Sequence, residues 1–69
     1  MLAYKIIKEA ANILVEEWEE DPSKSAIPIM VARMRKQDVE MNDQQIRQAV
    51  VRGTELFMER KKDTNFPYE

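Results

Sequence analysis

Residues 2–20 read LAYKIIKEAANILVEEWEE, a stretch in which apolar residues recur at helical spacing. On a helical wheel at about 100° per residue, the apolar side chains fill one continuous arc of roughly 200°. An arc of about 100° is enough for a helix that covers a single core. The stretch therefore predicts a helix whose buried face is wider than two neighbouring helices of one chain require. The residues of this arc are Ala3, Tyr4, Ile6, Ile7, Ala10, Ala11, Ile13, Leu14, Val15 and Trp18.

The start of a later helix is marked by capping chemistry. Asn42 is a favourable N-cap residue, and Gln45 follows three positions later, as in a capping box. Met41 and Ile46 have the spacing of a hydrophobic staple. We expect a helix over residues 43–62. Its predicted buried face comprises Ile46, Ala49, Val50, Gly53, Leu56 and Phe57.

Between these helices the chain passes through turn residues at 21–25, DPSKS. Ser25 is suited to cap a middle helix, because Pro28 then falls in the first turn, where its missing N–H costs no helical hydrogen bond. We expect this helix over residues 26–37. Its predicted buried face comprises Ile27, Met30, Val31 and Met34.

Three helical segments without the alternating pattern of strands predict an all-α fold. We expect a compact three-helix bundle with helices at about 2–20, 26–37 and 43–62. Residues 1–62 then form one domain, and residues 63–69, which contain Pro67, form a short non-helical tail. A chain of 69 residues lies near the size at which a single core supplies only about 3 to 5 kcal/mol. Stabilisation by a second copy is therefore expected.

The composition excludes most catalytic and metal chemistry. The sequence has no Cys and no His, and its one glycine is Gly53. Disulfides, Cys/His zinc sites and glycine-rich phosphate loops are excluded on that basis. The two serines, Ser23 and Ser25, have no histidine to activate them. We expect a protein that is not an enzyme, with no cofactor, no metal and no small-molecule substrate.

The apolar runs are too short for membrane attachment. Lys5, Lys8 and Glu9 interrupt the first fifteen residues, which therefore lack the pattern of a signal peptide. The uncharged run at residues 25–32 is far shorter than the roughly 20 residues of a membrane helix. We expect a cytoplasmic protein.

The formal net charge of −2 conceals an uneven distribution. Residues 1–22 carry two lysines against six acidic residues, a net charge of −4, whereas residues 23–40 and 41–62 each carry +2. The acidic residues of this segment lie mainly at the end of the first helix, where the helix dipole disfavours negative charge. We therefore expect Arg33, Arg35 or the Arg60–Lys62 cluster to lie beside them and compensate their charge. Alternatively, these residues form an acidic docking surface for a basic partner. That surface comprises Glu16, Glu17, Glu19, Glu20 and Asp21.

Apolar residues beyond those needed for one core predict a partner interface. Val51 and Met58 lie seven residues apart on the side of the last helix away from Ile46. Together with the wide arc of the first helix, they indicate a homodimer or a helical protein partner. We therefore expect a small helical interaction or regulatory module. The predicted interface comprises Tyr4, Val15, Trp18, Val51 and Met58.

The alternative function is a small DNA-binding regulator resembling a helix-turn-helix. The order of polar and apolar residues at the start of the last helix is similar to that of a recognition helix. In such a helix, glutamine can hydrogen-bond to adenine and arginine can hydrogen-bond to guanine. Against this, the preceding turn is long and lacks glycine, and Glu55 and Glu59 would repel phosphates. In this alternative the base-reading residues are Gln44, Gln45, Arg47 and Gln48, and the phosphate-binding residues are Arg33, Arg35 and Lys36.

Overall fold

The computed structural model describes residues 2–64 of the chain, with the side chains of residues 4–60. It contains three helices: α1 (Leu2–Glu20), α2 (Ala26–Lys36) and α3 (Asp43–Thr64). The range 2–64 contains no strand. The predicted all-α, three-helix fold is therefore confirmed.

Two helix ends differ from the prediction. Helix α2 ends at Lys36, one residue before the predicted end, and α3 continues to Thr64, two residues beyond it. The prediction of a non-helical tail from residue 63 was therefore wrong for residues 63 and 64, while residues 65–69 lie outside the described part of the chain. The nearest helix-breaking residue is Pro67, which comes three residues after Thr64 and does not prevent helical φ and ψ angles at residues 63 and 64. Nothing in the intervening sequence requires an earlier end.

Helix α2 ends in a Schellman motif. The N–H of Val39 donates to the carbonyl oxygen of Met34 at 2.9 Å, and the N–H of Asp38 donates to that of Arg35, also at 2.9 Å. Asp38 has the positive φ of 64° that this motif requires. Aspartate tolerates the left-handed conformation better than most residues, although glycine is the usual choice. Val39 then packs against the core cluster that contains Met34.

Helix α3 begins with the predicted capping box, which is confirmed. The Asn42 side-chain oxygen accepts a hydrogen bond from the backbone N–H of Gln45 at 2.8 Å, and the Gln45 side-chain oxygen accepts one from the N–H of Asn42 at 3.0 Å. Met41 belongs to the buried core cluster, and Ile46 is half-buried and packs against that cluster. At the start of α2, Ser25 occupies the predicted N-cap position, but its side chain makes no capping hydrogen bond.

Helices α1 and α3 run parallel and share the largest contact. Trp18 packs against Phe57, with ring centroids 5.9 Å apart, and the next residue of α1, Glu19, pairs with Arg60, which lies about one turn after Phe57. Residues later in α1 therefore contact residues later in α3, as expected for two helices that run in the same direction. Helix α2 carries the chain back along α1 and contacts α3 only slightly.

The core lies along α1. Helix α2 contributes Ala26, Met30 and Met34, which recur every fourth residue. The prediction that Ile27 is buried with this face was wrong: Ile27 is exposed, because it lies in the first turn of α2, where its side chain lines an open groove with Trp18 and Pro28. All six residues predicted for the face of α3 are buried or half-buried. The buried cluster comprises Ile7, Ala10, Leu14, Ala26, Met30, Met34, Met41 and Ala49.

Gly53 allows α1 and α3 to approach closely. A Cβ atom at this position would lie 3.2 Å from Cδ1 and 3.3 Å from Cβ of Leu14, and 3.4 Å from the carbonyl oxygen of Ala11. Leu14 is fully buried, so a Cβ atom at residue 53 would crowd a side chain that is surrounded by other protein atoms. Glycine therefore suits this position because little space is left for a side chain, although glycine has a low helix propensity.

Replacing Asp38 with glycine is expected to raise the free energy of unfolding by about 0.5 to 1 kcal/mol, because glycine adopts a positive φ without steric cost. Urea denaturation measures the change. The matched control is Gln37→Gly at the preceding residue, where φ is −95° and no gain is expected. If Asp38→Gly were no more stable than Asp38→Ala, the left-handed conformation would not be a source of strain.

Replacing Gly53 with alanine is expected to lower the free energy of unfolding by about 1 kcal/mol, because crowding against Leu14 exceeds the gain in helix propensity. The control is Thr54→Ala at the adjacent exposed position, where only propensity changes and stability should rise slightly. Thermal and urea unfolding of the two variants give the comparison. An equal gain in both would contradict a close approach at Gly53.

Candidate partner interface

A groove lies between the first part of α1 and the first part of α3. Tyr4 and Val51, two residues of the predicted interface, both line it, and their side chains are 59% and 54% exposed. The groove has a volume of about 350 Å³. The structure therefore brings these two residues, far apart in sequence, to one surface. The complete lining is Tyr4, Ile7, Arg47, Gln48, Val51, Arg52 and Glu55.

Met58 extends this surface along α3. It lies seven residues after Val51, which places it two turns further on the same side of the helix, and it is 62% exposed. We call the surface formed by Tyr4, Val51 and Met58 the Val51 face. Three of the four large apolar side chains that are exposed in the described part of the chain belong to it. The fourth, Ile27, lies elsewhere, beside Trp18.

Val15 does not lie on this surface. It was predicted at the partner interface, but its side chain is only 1% exposed within the chain itself. The prediction was wrong because α2 and α3 both pack on α1 and barely contact each other, so they cover two sides of the wide apolar arc. The width of the arc therefore does not require a further partner at this position.

Trp18 is also used mainly within the chain. It is half-buried, packs against the core cluster, and makes an edge-to-face contact with Phe57 at an interplanar angle of 60°. Its remaining surface lines a second groove of about 250 Å³ with Ile27 and Pro28. Trp18 thus lies apart from Tyr4 and Val51, which line the other groove.

The acidic end of α1 is partly compensated by cations of the same chain. Glu17 is the buried member, with 7% exposure, and accepts hydrogen bonds from Lys24 Nζ at 2.7 Å and Arg33 Nη2 at 3.0 Å. Its predicted place in an exposed docking surface was therefore wrong. A carboxylate that leaves water needs such charged partners, and the turn and α2 supply one each.

The other four acidic residues also have partners. Glu19 pairs with Arg60 at 2.7 Å, and Lys24 reaches Glu20 at 3.1 Å. Arg33 lies 3.7 Å from Glu16. The side chain of Asp21 accepts hydrogen bonds from the backbone N–H and the hydroxyl of Ser23, at 3.1 and 2.8 Å.

The expected compensation is therefore confirmed for Arg33 and Arg60. It does not involve Arg35, which pairs with Glu40 at 3.4 Å in the turn after α2. The side chains of Lys61 and Lys62 lie outside the described part of the chain.

These contacts shift three pKa values. The hydrogen bond from Lys24 holds the pKa of Glu17 below its usual 4.5, with further help from the positive charge of Arg33 and against the effect of burial. The hydrogen bonds from Ser23 lower the pKa of Asp21 below 3.8. The pKa of Lys24 is raised above 10.5 by its hydrogen bonds to Glu17 and Glu20. All three groups are therefore charged at neutral pH.

The proposed DNA-binding residues are divided between several roles. Gln45 belongs to the capping box, and Arg33 and Arg35 are held by carboxylates of the chain. The remaining residues are exposed, and two of them, Arg47 and Gln48, line the groove beside Tyr4. Helices α2 and α3 are separated by residues 37–42 and make little contact, unlike the two closely joined helices of a helix-turn-helix. The exposed residues of the set that are in neither an ion pair nor the capping box are Lys36, Gln44, Arg47 and Gln48.

Two charged groove residues were not anticipated as part of a partner surface. Arg52 lines the groove, and its Nε atom is buried with no hydrogen-bond partner in the described part of the chain. Glu55 lies on the same side of α3, four residues after Val51. The signal that identifies Glu55 is its four-residue spacing from Val51, which is the spacing of neighbours on one helix face.

Comparisons with protein-family models, with curated proteins and with solved structures gave no match to this chain. Within residues 2–64, no helix combines the length and apolar character needed to cross a membrane. The same part of the chain has no group of three or more acidic side chains arranged to hold a metal ion. The surface geometry is therefore the basis for a functional assignment.

The stability of the fold should depend on pH, because the carboxylate of Glu17 is held charged in the folded state. Its folded-state pKa is lowered, so its contribution is fully present above about pH 4.5 and is lost as the pH falls through the folded-state pKa. We expect wild-type stability to decline below pH 4.5, and Glu17→Gln to be less stable at pH 7 with a shallower decline. Urea denaturation between pH 7 and pH 3 measures both.

The control for this series is Glu9→Gln, because Glu9 is exposed on α1 and has no ion pair among the described residues. This variant should keep the wild-type dependence on pH. Parallel profiles for wild type and Glu17→Gln would show that the buried carboxylate does not couple folding to protonation.

Proposed function

We propose that this protein is a non-enzymatic, homodimeric interaction module that uses the Val51 face as its contact surface. The observation that carries the proposal is the location of the exposed apolar side chains. Tyr4 and Val51 line one groove, and Met58 continues the same side of α3. Single exposed apolar residues are common, but several on one surface are typical of an interaction site.

The energetics of a small chain support association. A core of this size supplies only a few kcal/mol, and no disulfide or Cys/His metal site can add to it. Burial of Val51 and Met58 against a partner would contribute on the order of 1 kcal/mol for each side chain. A dimer gains this contribution from both copies.

The charges within the chain favour this function over DNA binding. Two of the three proposed phosphate-binding residues, Arg33 and Arg35, already hold carboxylates of the same chain. Glu55, which would repel a phosphate backbone, lines the same groove as Arg47. Since the module needs no disulfide, we propose that it acts in the cytoplasm.

Substitution of Val51 or Met58 by lysine is expected to weaken self-association at least tenfold for each variant, because a charge replaces a contact that excludes water. Sedimentation equilibrium over a range of protein concentrations measures the dissociation constant. The matched control is Ile27→Lys, which changes an exposed isoleucine outside the Val51 face and should leave association unchanged.

The same measurement separates the alternatives. A chain that stays monomeric at all concentrations contradicts the proposal. A monomer that forms a complex with mixed duplex DNA, weakening steeply between two salt concentrations, identifies the DNA-binding alternative instead. A dimer whose association is insensitive to substitutions at Val51 and Met58 contradicts the choice of surface.

A further inference from the structure

The two charged residues that flank Val51 are arranged symmetrically about it. Arg47 lies four residues before Val51 and Glu55 lies four residues after it. At about 100° and 1.5 Å per residue, each lies about 6 Å along the axis and about 40° around it, in opposite directions. Both line the same groove as Val51, and neither has an ion pair in the described part of the chain.

We propose that two copies of this chain pair antiparallel through α3, about a two-fold axis at Val51, so that Arg47 of each copy contacts the partner's Glu55. This arrangement rests on the proposed function and specifies how the two copies are oriented. A two-fold axis that reverses the helix direction places each residue before Val51 opposite the residue equally far after it. Arg47 and Glu55 then meet twice, once on each side of the axis.

The helix geometry is compatible with these contacts. Packed helices lie about 8 to 10 Å apart, and residues within about 40° of the contact line face the partner. At the centre Val51 packs against its own copy, and one turn away Arg47 and the partner's Glu55 are at the same height. Two turns from the centre, Met58 lies opposite the partner's Gln44, which is neutral and exposed.

The opposite orientation is disfavoured by the same charges. In a parallel pair in register, Arg47 would face the partner's Arg47, and Glu55 would face the partner's Glu55. Like charges in contact across an interface weaken association, whereas opposite charges set its orientation. The surface is therefore complementary to a reversed copy of itself, which is the requirement for a symmetric dimer.

Charge reversal tests the contact directly. Arg47→Glu and Glu55→Arg should each weaken the dimer about tenfold, because each creates two like-charge contacts in place of two ion pairs. The double variant R47E/E55R should recover affinity to near the wild-type value, since it restores both pairs in reverse. Lys36→Glu is the control, because it makes the same change of charge at an exposed residue of α2.

Cysteine cross-linking tests the direction, and the chain has no native cysteine to interfere. Val51→Cys should form a disulfide-linked dimer. A mixture of Gln44→Cys and Met58→Cys should cross-link as a heterodimer, whereas Met58→Cys alone should not, because its two copies lie about 21 Å apart along an antiparallel pair. All three positions are exposed, so circular dichroism should show an unchanged helical fold.

The outcomes distinguish this inference from the function on which it rests. A monomer by sedimentation overturns both. A dimer that is weakened by Val51→Lys, but in which Met58→Cys cross-links to itself or R47E/E55R is no tighter than the single variants, keeps the proposed function and overturns the antiparallel arrangement. Recovery in the double variant together with the heterodimer cross-link supports it.

Discussion

Helix α1 is the shared packing surface for both of the other helices. Helices α2 and α3 each pack on it and make little contact with one another, so two sides of α1 are covered at once. A helix in that position must be apolar over about twice the usual width. The small residues Ala10 and Ala11 are completely buried, and the latter lies where Gly53 brings α3 close. The wide arc of the first twenty residues thus reflects this central position.

The charge distribution follows from the same arrangement. Three elements converge on the acidic end of α1, and each supplies one cation: Lys24 from the turn, Arg33 from α2 and Arg60 from α3. The negative charge of the first helix and the positive charge of the later segments are therefore complementary within the chain. Charge that is held in this way is less available to attract a partner. Arg47 and Glu55 differ from it in that both lie in the groove beside Val51 and have no ion pair in the described part of the chain.

Features that depend on residues close together in the sequence were predicted correctly. The capping box of Asn42 and Gln45 depends on residues three positions apart, so it could be recognised without knowledge of the packing. The same holds for the helical spacing that defines the core face of α3. Compensation of the acidic cluster was also predictable, since an excess of one charge at a helix end requires the other nearby.

The wrong predictions concern properties that depend on tertiary packing. Whether Val15 faces solvent is decided by how two other helices divide the surface of α1, and a single helical wheel does not contain that information. On the helical wheel Ile27 lies between Met34 and Val31, which is why it was assigned to the buried face. Its exposure depends on its place in the first turn of α2, beside an open groove, and the wheel does not contain that information. The end of α2 was placed one residue late because its left-handed residue is Asp38 and not glycine, the residue that usually marks such an end.

The packing of the core determines which apolar side chains stay exposed to a partner. Because the apolar arc of α1 is largely covered within the chain, the exposed apolar side chains are found mainly on the outer side of α3 and at Tyr4. Such a small apolar area binds another helix with little preference for direction, since the hydrophobic effect is not directional. In the proposed dimer, direction must then come from charge. Arg47 and Glu55 can provide it because they have opposite charges and lie at equal distances on either side of Val51.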